Sequence, residues 1–159
     1  MAEDWKSILL QLRDRIASKA TLPISDGNQQ ESPRNPIAIN IGIDFGTSYT
    51  KTCFRDAGTE RSGIIKFKDY AIIPSLIKVS PKGTLYMGHH PASSDCYDIK
   101  YLKMRLAGVP IDDKLPTIQG IDLTQGNTCR ALSAWFLANV LRESCLYLQS
   151  VETSRLRNR

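Results

Sequence analysis

Apolar residues near the N-terminus recur at intervals of three and four positions over residues 4–19. This spacing places them on one face of a helix, as Trp5, Ile8, Leu9, Leu12 and Ile16. Acidic residues stand at the start of the segment and basic residues at its end, which the helix dipole favours. We therefore predict an amphipathic helix within residues 1–20. The opposite face of this helix carries both acidic and basic residues. We therefore expect its apolar stripe, formed by the five residues named above, to pack on this domain or on a protein partner, not on a membrane.

The next segment has the composition of a linker. Residues 21–36 contain three prolines, one glycine and several short polar residues, which cannot form a packed core. An apolar run of strand length, Ile37-Ala38-Ile39-Asn40-Ile41-Gly42-Ile43, then ends at an Asp-Phe-Gly turn. This pattern predicts a flexible linker followed by a buried strand.

The middle of the chain alternates between strand-like segments and turn residues. The segments with strand patterns are 49–55, 64–68, 72–80 and 84–87. The short connections between them contain glycine and proline, which suit tight turns, so we predict mostly antiparallel pairing.

Helical patterns dominate the second half. Residues 97–106 predict a short helix, and residues 115–123 are ambiguous. Asn127 or Thr128 offers an N-cap for a long helix that extends to about Leu148 and lies across the sheet. Residues 151–159 are polar and basic, which is typical of a tail.

Composition is that of an ordinary single domain of 159 residues, with 42% hydrophobic and 23% charged residues. The four cysteines are widely spaced without a Cys-x-x-Cys pair, which favours reduced structural thiols. The net charge of +5 is diffuse, so we predict no nucleic-acid partner. No segment has the pattern of a signal peptide or membrane span, and we expect a cytoplasmic protein.

The segment best suited to chemistry is residues 41–51, where a strand delivers an aspartate into a Gly-Thr-Ser turn. Gly46 lets backbone N–H groups approach an anion closely, and Thr47 and Ser48 add hydroxyl donors. Asp44 beside phosphate oxygens requires a cation between them, so we predict that it accepts from water bound to Mg²⁺. The alternative is a structural β-turn, because similar sequences also close ordinary hairpins.

Two pairs of adjacent polar residues receive no site role. His89 and His90 are adjacent and lack further ligands, so we predict loop positions and not metal ligands. Asp112 and Asp113 lie in a loop with proline and lysine, where carboxylates are ordinarily solvated.

Residues 41–50 resemble the first phosphate-binding segment of the actin and heat-shock chaperone ATPase superfamily, and fit DnaK-type chaperones best. Ile73-Pro74-Ser75-Leu76-Ile77 resembles the Thr-Pro-Ser segment of those chaperones, although Ile73 lacks the hydroxyl. Residues 85–92 resemble their Gly-x-x-Ala segment. Residues 97–102 resemble their Phe-Asp-x-Lys-x-Leu segment, which implies a catalytic role for Lys100. The similarity spans residues 40–150.

The resemblance implies an α/β fold: a ribonuclease-H-like first half-lobe of an actin-like ATPase at residues 37–150, with a mixed sheet, antiparallel hairpins and a long covering helix. It implies ATP and Mg²⁺ as cofactors. The implied phosphate-binding residues are Asp44, Gly46, Thr47, Ser48 and Tyr49, with Asp44 reaching the metal through water.

Two functions remain open. One is a chaperone-like ATPase present as its N-terminal portion, inactive by itself because a second phosphate loop and an adenosine pocket are not recognisable. The other is a non-catalytic scaffold that uses the lobe and the helix of residues 4–19 to bind a protein.

Overall fold

The computed structural model describes residues 38–91 and 94–157, with side chains up to residue 151. These residues form a mixed α/β fold with antiparallel sheets and a long C-terminal helix. The predicted helix of residues 4–19 and the linker of residues 21–36 lie outside the described part of the chain.

The first sheet is organised around its second strand. Its members are β1 (Ile39–Phe45), β2 (Tyr49–Asp56), β3 (Ser62–Ile64) and β4 (Ile72–Pro74). β2 pairs with β1 along one side, and with β3 and β4 on the other. β1 is therefore an edge strand among the described residues. The prediction of a buried strand is wrong for most of β1, because Asn40, Gly42 and Asp44 face solvent and even Ile43 is 38% exposed.

The remaining strands form two small sheets. β5 (Ile77–Val79) pairs with both β6 (Leu85–Met87) and β7 (Tyr97–Ile99), while β8 (Thr117–Ile118) pairs with β9 (Ile121–Asp122). The single strand predicted over residues 72–80 is thus divided between two sheets. The division falls at Ser75, whose backbone and side chain are bonded to β2 and its preceding turn.

The helix predicted over residues 97–106 is correct only in its second half. Residues 97–99 form β7, and α1 (Leu102–Leu106) begins after Tyr101, which has a left-handed φ of 58°. Ile99 is fully buried against β5, so tertiary pairing overrides the local helical pattern here.

The predicted long helix is confirmed, but it begins and ends at other residues than predicted. α2 (Gly126–Arg157) begins just before the two predicted caps and continues past Leu148 to Arg157. No proline or glycine follows Leu148 to end it.

One hydrophobic core joins α2 to the first two sheets. Phe136 and Val140 of α2 are fully buried, and the Phe136 ring lies 5.8 Å from that of Phe45 at the end of β1. The buried strand residues in this cluster include Ile73, Ile77 and Ile99. The helix thus lies against the sheet face below the β1–β2 turn, as the sequence predicts.

Candidate phosphate-binding turn

The β1–β2 hairpin closes through a tight turn that begins at Gly46. The Gly46 N–H donates to the Tyr49 carbonyl oxygen over 3.0 Å, and the flanking register pairs Asp44 with Lys51 and Phe45 with Thr50. A Cβ atom at Gly46 would overlap the Tyr49 carbonyl oxygen. Glycine is therefore required here by the close approach of the Tyr49 backbone, and the predicted approach of an anion stays a prediction.

The outer side of this turn is open to solvent. Asp44 and Ser48 are exposed, Tyr49 is 53% exposed, and Gly46 and Thr47 are partly buried. Within residues 38–91 and 94–157, the Thr47 and Ser48 backbone N–H groups have no hydrogen-bond acceptor. Two amides and two hydroxyls on adjacent residues form a group of donors that an anionic oxygen could accept from.

Ser75 holds the turn through hydrogen bonds on the side that faces the core. The Ser75 N–H donates to the Ser48 carbonyl oxygen over 2.9 Å, and the hydroxyls of Thr50 and Ser75 are 2.8 Å apart in the core. Both side chains are buried. Two segments of the resemblance, residues 41–50 and 73–77, are therefore in direct contact.

We expect the Thr50–Ser75 hydrogen bond to stabilise the turn. Ser75→Ala leaves the buried Thr50 hydroxyl without its partner, and should lower the free energy of unfolding by about 1–3 kcal/mol in urea. The exposed Thr117→Val should change it by less than about 0.5 kcal/mol. Equal stabilities of the two variants would show that the hydrogen bond does not hold the turn.

Lys100 follows β7 directly and is not on a helix. Its side chain is 56% exposed, and its Nζ atom lies 4.0 Å from an Asp98 carboxylate oxygen. Lys100 is linked to the turn through the contact of Ser75 with Ser48 and the pairing of Ile77 with Ile99. Along this path the Cα atoms of Ser48 and Lys100 are at most roughly 22 Å apart.

A residue that the sequence analysis missed fixes the backbone at Lys100. Arg105 of α1 is buried, and its Nε donates to the Lys100 carbonyl oxygen over 2.9 Å. Its guanidinium also donates to the Asp113 carboxylate. The prediction that both loop aspartates are solvated is therefore wrong for Asp113, while Asp112 is exposed. No local pattern distinguishes Arg105 from a surface arginine, so only the folded chain identifies it.

Cys129 lies in the same region, near the start of α2. Burial raises the pKa of the Cys129 thiol, and this effect outweighs the opposite influence of the nearby Arg105 charge. The Sγ atom also lies 3.6 Å from the Leu123 carbonyl oxygen. A buried thiol of this kind is protonated and unreactive at neutral pH.

The histidines occupy loop positions beside aromatic rings. His89 stacks on Tyr70 with ring centroids 4.2 Å apart, and His90 lies 5.0 Å from the Tyr86 ring. In the part of the chain that the structure describes, no group of three or more His, Cys, Asp or Glu residues could hold a metal ion.

Comparison with protein-family models finds no match to this chain, and searches of curated proteins and of solved structures find none either. Among the described residues, no helix combines the length and apolar content needed to cross a membrane.

Proposed function

We propose that the chain is the N-terminal portion of a chaperone-like ATPase of the actin-like superfamily, acting in the cytoplasm, with a ribonuclease-H-like half-lobe. The observation that carries this proposal is the turn at Gly46, whose tight closure leaves the Thr47 and Ser48 amides unpaired within the described residues. ATP would bind there by its phosphates. The resemblance of residues 41–50 to a phosphate-binding segment supports the same function.

The residues present fit a magnesium nucleotide. Backbone and hydroxyl donors of Thr47 and Ser48 suit phosphate oxygens, and the Tyr49 backbone closes the turn beneath them. The exposed Asp44 carboxylate would accept from water on Mg²⁺, which binds through few carboxylates and retains several waters. Mg²⁺ supplies charge neutralisation between the carboxylate and the phosphates.

Lys100 has the proposed role of stabilising charge on the terminal phosphate. A lysine acts as a point charge in such sites, where positioning and charge neutralisation dominate the chemistry of phosphoryl transfer. Its exposure leaves the side chain able to reorient, since its ion-pair partner Asp98 is 4.0 Å away and itself part exposed. Arg105 would act as a positioning residue, because it holds the Lys100 carbonyl.

Contacts between the four resemblance segments support the assignment. Residues 41–50 contact Ser75, and an added Cβ at Gly88 would lie 3.4 Å from Ile73. β7, which precedes Lys100, pairs with β5. The four segments are therefore joined through two sheets that meet at Ser75.

We expect millimolar Mg-ATP to shift the backbone amide resonances of Thr47, Ser48 and Tyr49 in a two-dimensional NMR titration. The affinity should be weak, and ATP turnover negligible, because only one lobe is recognisable. Asp44→Asn should weaken the Mg-ATP response, because it removes the charge that attracts the hydrated metal. Asp69→Asn, which removes an exposed carboxylate in a turn outside β1, should leave the response unchanged.

An unchanged spectrum at saturating Mg-ATP would contradict nucleotide binding by this turn. Shifts that persist unaltered in Asp44→Asn would contradict the metal role of Asp44. The first result would favour the alternative function, a non-catalytic protein that uses the lobe as an interaction scaffold.

A further inference from the structure

The first sheet has one buried face and one exposed face. Along β2, Thr50 and Thr52 are buried against the core, whereas Lys51, Cys53 and Arg55 point to the opposite side and are exposed. The pairing register places Gly42 of β1 and Ile64 of β3 beside Cys53 on this outer face.

An apolar trough runs along that outer face. Its two adjoining hollows, of about 590 Å³ and 400 Å³, share Gly42, Cys53 and Ile64. Ile64 is 60% exposed and Ile72, which lines the larger hollow, is 39% exposed. Large aliphatic side chains at such exposure on one continuous surface are typical of a face that another element covers.

The absence of a side chain at Gly42 leaves open space on the floor of the trough. A Cβ atom there would lie 3.0 Å from the Cys53 Sγ atom and would fill the floor shared by both hollows. The trough thus depends on a glycine that no turn requires, because Gly42 is in the middle of β1.

We propose that the outer trough is covered by residues 4–19 of the same chain, docked as a helix through the stripe formed by Trp5, Ile8, Leu9, Leu12 and Ile16. The occupant matches in length, because the stripe from Trp5 to Ile16 spans about 18 Å along a helix, and residues 51–55 of β2, which line the trough, span about 17 Å. It also matches in chemistry, since the apolar stripe meets a floor formed by Gly42, Cys53 and Ile64, while Asp44, Lys51 and Arg55 also line the hollows. This inference does not depend on nucleotide binding.

The position of the N-terminal segment favours this occupant over a second copy of the chain. Residues 1–37 join the fold at Ala38, close to Asn40, which lines one of the hollows. Residues 21–36 can bridge about 22 Å as an average coil and up to about 55 Å when extended, so they reach any part of the trough. Such a tether gives a local concentration on the order of millimolar, far above that of a second chain in dilute solution.

Cys53 on the trough floor reports directly on docking. In the full chain we expect slow alkylation of Cys53 by iodoacetamide, measured by peptide mass spectrometry, and roughly tenfold faster alkylation in Leu9→Asp and Leu12→Asp. Gln11→Asp, outside the stripe, should behave as wild type. Cys145 on α2 is exposed and serves as the internal reference in every sample. Equal Cys53 rates in all four proteins would overturn the proposal.

Cross-linking identifies the occupant. Leu12→Cys should form a disulfide with Cys53 within one chain on mild oxidation, while the matched Gln11→Cys should not. The linked peptides are mapped by mass spectrometry, and the product should be monomeric at all protein concentrations. A disulfide from the introduced thiol to Cys53 found only between two chains, increasing with concentration, would overturn the proposal in favour of a second copy. No link in Leu12→Cys would overturn it in favour of another partner.

Discussion

Asp113→Ala is expected to lower the free energy of unfolding by about 3 kcal/mol, measured by urea denaturation. The Arg105 side chain is only 5% exposed and donates to the Asp113 carboxylate. Removing the Asp113 carboxylate leaves the buried Arg105 guanidinium without its counter-charge. An unpaired buried charge destabilises the folded state strongly. The neighbouring Lys100 amide resonance should shift as well, because Arg105 also holds the Lys100 carbonyl.

The adjacent aspartate provides the control. Asp112→Ala removes the same group one residue earlier, at an exposed position, and should change stability by less than about 0.5 kcal/mol. The double variant Arg105→Met with Asp113→Leu should regain most of the lost stability, because apolar groups of similar volume often replace a buried ion pair without loss. Equal effects of Asp112→Ala and Asp113→Ala would contradict the buried pairing.

Gly46→Val is expected to destabilise the protein by several kcal/mol, on the order of 3, because the turn cannot accept a side chain there. The new Cβ would overlap the Tyr49 carbonyl oxygen, a backbone atom that cannot move without breaking the Gly46 hydrogen bond. The same displacement would pull Ser48 away from Ser75. The midpoint of thermal unfolding, followed by circular dichroism, should fall accordingly.

Replacement of a second glycine serves as the control, because it shows the effect of losing a glycine without a backbone clash. At Gly126, the first residue of α2, an added Cβ meets no atom within 4 Å. Gly126→Ala should therefore be neutral or stabilise by up to about 1 kcal/mol through helix propensity. A Gly46→Val protein as stable as wild type would show that the turn is loose, and would remove the main geometric support for a phosphate site.

The sequence predicted those elements whose cause is local. The tight turn at Gly46 depends on residues 46–49 alone. The buried face of α2 follows from a helical spacing of apolar residues that includes Phe136 and Val140. Both could be predicted because neighbours within a few residues determine them. The antiparallel pairing followed in the same way from the short glycine-containing connections.

The elements that were predicted wrongly are determined by distant residues. Ser75 divides one apolar segment between two sheets because its partners, Ser48 and Thr50, are more than twenty positions earlier in the chain. Ile99 is in a strand because β5 pairs with it, although residues 97–106 have a helical pattern. Arg105 and Asp113 likewise meet only once the chain folds. Local sequence patterns do not reveal contacts between residues that are distant along the chain.

Paramagnetic broadening by Mn²⁺-ATP tests the central claim most directly. Mn²⁺ takes the oxygen ligands that Mg²⁺ takes, and broadens the NMR signals of nuclei close to it. If the turn at residues 44–48 holds a metal nucleotide with Lys100 nearby, the amides of Thr47, Ser48 and Lys100 should broaden together, and those near the end of α2 should stay sharp. Broadening of the turn with an unaffected Lys100, or broadening only elsewhere, would contradict the claim.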